Sequence, residues 1–169
     1  MYIRFALRDA SFITVALLVW WLAAESSAGT GLLADFTGVV AGVLLGLSGA
    51  LLHEWGHLLA ALAAGSVLRA NENLASLFSF SFDSRQNSLA QFVIMSVGGF
   101  AVTAALVVGF YVYLPDGLLA SRVARGVVLF LAFLGVTLEL PLLLFALGTR
   151  GVPAVAAVKV QRRGVPSVS

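Results

Sequence analysis

A chain of 169 residues in which 60% are hydrophobic, 11% are charged and the mean hydropathy is +1.02 is too apolar for a water-soluble domain. It has room for about four membrane spans with short connections, but not for a folded soluble domain beside them. The lack of cysteine removes disulfides and thiolate metal sites, and the basic residues behind the net charge of +2 punctuate apolar runs, which fits orientation in a lipid bilayer and no nucleic-acid partner.

The hydropathy pattern predicts four spans, at about 10–24, 37–64, 89–114 and 126–148. The expected fold class is an all-α membrane protein, one integral membrane domain over 1–169: a first span and outer loop over 1–36, a core over 37–148 and a basic tail over 149–169. The first run has a basic start and small residues after it, so a cleaved signal peptide competes with a retained span. Trp20 and Trp21 suit an interfacial anchor at the outer end of a retained span. The second run carries Gly38, Gly42, Gly46 and Gly49, of which the last three share the face of His53, for close helix packing, as a substrate path to His53, or for both. The following connection, "NENLASLFSFSFDSRQNS", alternates Phe78, Phe80 and Phe82 with Ser79, Ser81 and Asp83, a period of two that predicts a short strand. Gly98 and Gly99 offer the third span a close approach. With the N-terminus inside, Arg4, Arg8, Arg69, Arg85, Arg150, Lys159, Arg162 and Arg163 fall on the cytoplasmic side, while Arg122 and Arg125 lie outside. The expectation is a multi-pass protein of the plasma membrane with both termini cytoplasmic.

Inside these apolar runs the only acidic side chains are Glu54 and Glu139. A charge at mid-bilayer costs about 2.5–3.5 kcal/mol even on the insertion scale, so each calls for a partner. Glu54 stands in "HEWGH": His53 and His57 are one helical turn apart on one face, the spacing at which two imidazoles reach one metal ion. In this arrangement the histidines hold Zn²⁺ and the glutamate accepts a proton from the attacking water, which is peptide hydrolysis chemistry. A chance match inside a span would leave three polar side chains unsatisfied in hydrocarbon.

Catalytic zinc takes three protein ligands, and depth selects the third. His53 and His57 stand about 11 and 7 residues before the inner end of the second span at 64, and Glu139 about 9 before the inner end of the fourth at 148. At about 1.5 Å per residue these heights agree within one turn. Asp116 is at the opposite face; Asn73 and Asp83 reach the site only if their connection folds back into the membrane. Glu139 is therefore the expected ligand, with Pro141 opening the helix so that the carboxylate swings inward. The segment with Phe78, Phe80 and Phe82 is the expected substrate-binding element, pairing its edge with an unwound substrate strand; the alternative is an interfacial loop that dips into lipid.

The stretches "LHEWGHLLAALAAGSVLRA" and "IMSVGGFAVTAALV", with the strand-like segment between them, resemble the site-2 protease family of intramembrane zinc metalloproteases over about residues 37–148. The resemblance implies cleavage of a membrane-spanning protein or peptide near the cytoplasmic face, with His53 and His57 on zinc and Glu54 as base. The family's third ligand is an aspartate in Leu-Asp-Gly after an Asn and a Pro. Here "TLELPLLLFALG" has Pro141, but Ala146, Leu147 and Gly148 stand where that motif is expected. Either the ligand has moved to Glu139 on the same helix, or the metal site is incomplete. The competing functional readings are a non-catalytic relative that binds or regulates a membrane partner, and a metal-handling protein.

Overall fold

The computed structural model describes residues 2–25, 31–76 and 78–153. Its elements are α1 (Tyr2–Glu25), α2 (Leu32–Ala63), β1 (Leu68–Ala70), β2 (Phe80–Phe82), α3 (Leu89–Tyr113) and α4 (Leu119–Thr149). All four helices are long and apolar enough to cross a membrane. The all-α class and the strand between the second and third helices are as expected. Helices α1, α2 and α4 begin earlier than their apolar runs, since helical hydrogen bonding continues through polar turns that hydropathy does not register. The expected basic tail lies almost wholly outside the described residues.

Helix α2 is the hub, with α1, α3 and α4 each packed on it. Between membrane helices there is little hydrophobic drive, so close approach at small residues supplies the packing. A Cβ on Gly42 would lie 2.5 Å from the Ala120 carbonyl oxygen, and one on Gly46 would lie 2.5 Å from Val127 Cβ. At Gly42 and Gly46 the glycine stripe is thus filled by α4, as the packing reading expects. On the α3 side, a Cβ on Gly56 would come 2.8 Å from the Gly98 carbonyl oxygen.

The α2–α3 connection is a tied hairpin. Gly65 turns the chain at a φ of +66°, and Gln91 Nε2 donates to the Ala64 and Gly65 carbonyls at 3.2 and 3.1 Å, satisfying the end of α2. Ser88 and Gln91 form a capping box that starts α3. Asn87 accepts from the Val67 N–H at 2.6 Å and donates to the Val67 carbonyl at 2.8 Å. Strands β1 and β2 pair antiparallel, Leu68 opposite Phe82 and Ala70 opposite Phe80. Phe80 and Phe82 enter a core with Leu58, Phe92, Leu143 and Ala146. The strand is therefore shorter than the alternation implied: Phe78 lies outside it and is 65% exposed. Its partner β1 had no comparable signal, because "LRA" is too short to show a period.

At the other end Arg125 is buried in α4 and donates to the Phe110 carbonyl at 3.1 Å, to the Leu114 carbonyl and to the Asp116 carboxylate. It satisfies carbonyls left over at the end of α3. Arg125→Leu should lower stability in detergent by about 1.5–3 kcal/mol, read as a fall in the unfolding midpoint; an unmoved midpoint contradicts this role.

Candidate metal centre

His53 and His57 present their rings edge to face, with centroids 4.4 Å apart. Their Nε2 atoms are 3.0 Å from each other. Glu139 places Oε1 3.0 Å from His53 Nε2 and Oε2 3.1 Å from His57 Nε2. All three side chains are partly or largely shielded. Among the described residues they are the group of three whose ligand atoms converge on one point. Helix α4 runs unbroken through Pro141, so Glu139 reaches the imidazoles without the helix opening expected there.

The hydrogen bonds behind the rings fix their tautomers. His57 Nδ1 lies 2.9 Å from the Met95 carbonyl oxygen, and His53 Nδ1 lies 3.0 Å from that of Gly99 and 2.7 Å from Thr103 Oγ1. A carbonyl only accepts, so each Nδ1 carries the hydrogen and each neutral ring turns an Nε2 lone pair inward. Two lone pairs and two carboxylate oxygens then crowd one point, which is repulsive unless a metal ion or protons on the Nε2 atoms stand between them. A proton on one Nε2 serves one carboxylate contact and leaves the other imidazole facing the same oxygens. A tetrahedral zinc ion with bonds near 2.05 Å has ligand atoms about 3.3 Å apart, close to the spacing here, and its preferred donors are imidazole nitrogen and carboxylate oxygen. The residues present fit that metal.

Gly99 makes room for this arrangement. A Cβ there would stand 2.6 Å from His57 Nδ1 and closer still to other atoms of the ring. Gly99→Val should therefore displace His57 and abolish stoichiometric zinc binding, measured by elemental analysis of purified protein. Full zinc occupancy in that variant would contradict the packing described.

Glu54 is half-buried beside the cluster, within electrostatic range of both imidazoles and Glu139 and near the Ser79 main chain next to β2. Asp83 is committed to its own turn, accepting from the Arg85 N–H at 3.0 Å and from Gln86 Nε2 at 2.7 Å. Asn73 accepts from the Ala75 N–H. Neither belongs to the converging group.

Sequence reasoning missed the support from α1. Asp9, 3% exposed, accepts from Trp55 Nε1 at 2.9 Å and from Arg8 Nε at 2.7 Å. Arg8 also donates to the Leu74 and Ser76 carbonyls at 2.5 and 2.7 Å. The first helix thus grips both the tryptophan of "HEWGH" and the loop that leads into β2. It also puts the start of α1 on the same side as the hairpin, as the charge distribution implied. The available signal was a lone acid, Asp9, at the edge of an apolar run.

Compared with models of protein families, with curated proteins and with solved structures, the chain matches none. What the site can do follows from its own geometry: it is a helical, membrane-type protein with a His/His/Glu group able to hold a metal ion.

Proposed function

We propose that the chain is an intramembrane zinc metalloendopeptidase that hydrolyses a peptide bond of a membrane-spanning protein or peptide near the cytoplasmic face. The observation that carries this reading is the meeting of two imidazole Nε2 atoms and a carboxylate, contributed by α2 and α4, with a second carboxyl, that of Glu54, within electrostatic range of them.

His53, His57 and Glu139 hold the zinc, which when bound supplies a Lewis acid for the scissile carbonyl and for water. Glu54 is the base: it takes a proton from the attacking water and returns it to the nitrogen that leaves when the C–N bond breaks. The Met95 and Gly99 carbonyls and Thr103 keep the rings in register, so the donors need no rearrangement.

A helical peptide bond is shielded by its own hydrogen bonds, so the substrate is held extended, and β2 is suited to do this. Asn71 N–H donates to the Ser79 carbonyl, which marks Asn71 and Ser79 as a hydrogen-bonded pair and, two residues on, Arg69 and Ser81. The Phe80 and Phe82 amides then point to the opposite edge, where β2 has no strand partner among the described residues. The buried Phe80 and Phe82 rings anchor the strand and leave recognition to this main-chain edge, while exposed Phe78 meets substrate or lipid. Phe80→Pro should abolish cleavage with zinc retained, whereas Phe80→Leu, which keeps an apolar group and the amide, should cleave. Equal cleavage by both would remove the strand from the mechanism.

The reading is tested with purified protein stripped by chelator and incubated with single-span model peptides in detergent. Cleavage should return with zinc; no cleavage at full zinc occupancy contradicts it.

A further inference from the structure

A cavity of about 170 Å³ opens directly onto the cluster, with His53, Thr103 and Glu139 as its polar floor. Its walls are otherwise apolar and include Leu106 of α3 and Val128, Leu131 and Leu134 of α4. Its position along the helices is consistent on all three. On α2 its residues Gly49 and Ala50 precede His53; on α4 Leu131 and Gly135 precede Glu139; on α3, which runs the other way, Leu106 follows Thr103. The cavity therefore lies on the side of the cluster away from the β-hairpin. It sits where α3 and α4, each packed mainly on α2, meet each other less, and its rim residue Leu138 is 64% exposed.

We infer that this cavity is a specificity pocket for one bulky apolar side chain, that of the substrate residue on the membrane-interior side of the scissile bond. The inference rests on the protease reading above. A strand paired with β2 at one end and passing the cluster carries its next residues into this space. An apolar cavity of roughly 150 Å³ takes a benzene ring, so the volume here matches a single phenyl or isobutyl group. A glycine or alanine leaves the space unfilled, and a carboxylate loses its hydration among apolar walls and faces the Glu139 carboxylate at the floor. Being open between two helices, the pocket admits a side chain from a segment that approaches within the bilayer.

Gly135 allows a direct test. A Cβ there meets nothing nearer than Glu139 Oε1 at 4.0 Å, so a larger side chain enters the cavity instead of striking a neighbouring helix. Zinc-loaded wild type is given single-span peptides that differ only at the residue on the membrane-interior side of the bond cut, as Phe, Leu, Ala, Gly or Asp. Phe and Leu should exceed Ala and Gly by at least about tenfold in kcat/KM, with Asp lowest. Gly135→Leu should reverse the order of Phe and Ala with bound zinc unchanged, and Leu106→Ala, a second change in the opposite direction, should favour Phe further. In Glu54→Gln protein, a benzophenone side chain at the same peptide position should crosslink to Leu106, Leu131 or Leu134, a readout independent of turnover. Equal rates for all five peptides, an order indifferent to Gly135→Leu, or crosslinks confined to the hairpin overturn the pocket while leaving the protease reading intact. Cleavage of no peptide by the zinc-loaded protein overturns both.

Discussion

Glu139→Ala is expected to strip the protein of zinc while leaving it folded. The substitution removes both carboxylate oxygens that face the imidazoles at 3.0 and 3.1 Å, and leaves two inward lone pairs with nothing to complete a three-ligand site. Losing a partner behind a ligand costs roughly 10–100-fold in metal affinity, so losing the ligand itself should cost well beyond that. The helices have no comparable stake in the carboxylate, since α4 is held to α2 through Gly42 and Gly46, about three and two turns before His53. Asp83→Ala is the control: Asp83 closes a turn in the α2–α3 connection, and zinc content should not change. Loss of zinc from the Asp83 variant alone would reverse the assignment of the third ligand.

Glu54→Gln should separate binding from chemistry. Glutamine preserves shape and one acceptor oxygen, yet it cannot take a proton from water. Removing a positioned general base costs typically about 10²–10⁴-fold in rate, so cleavage should fall by that factor with zinc occupancy unchanged. A protein that binds or regulates a membrane partner without catalysis would keep its function in this variant. Undiminished cleavage would remove Glu54 from the mechanism, and loss of zinc would make it a ligand.

What was legible in the sequence was whatever depends on position along one helix. The spacing of His53 and His57 sets their common face, and counting residues from the span ends sets the height of Glu139; the structure brings these three together. The small residues at Gly42, Gly46, Gly98 and Gly99 announced close approaches without saying to what. Which helix fills a glycine stripe depends on rotation about the helix axis, and a helix such as α3, apolar on every side, carries no polar face to reveal that rotation. So the fit of Gly99 against His57, the grip of Asp9 on Trp55 and the capping of α3 by Arg125 were invisible in sequence. Arg8 and Arg125 read there as orientation charges, and the structure gives both a hydrogen-bonding task as well. Strand β2 was legible by its alternation, whereas β1 at three residues was not.

The central claim is that one divalent cation sits between His53, His57 and Glu139. X-ray absorption at the zinc edge of the purified wild-type protein, with elemental analysis of the same sample, tests it most directly. The account predicts one zinc per chain, nitrogen and oxygen neighbours near 2.0–2.1 Å and the outer-shell pattern of two imidazoles, reduced to none on Glu139→Ala. A protein that folds, takes up no stoichiometric zinc on reconstitution and shows no imidazole pattern would contradict it.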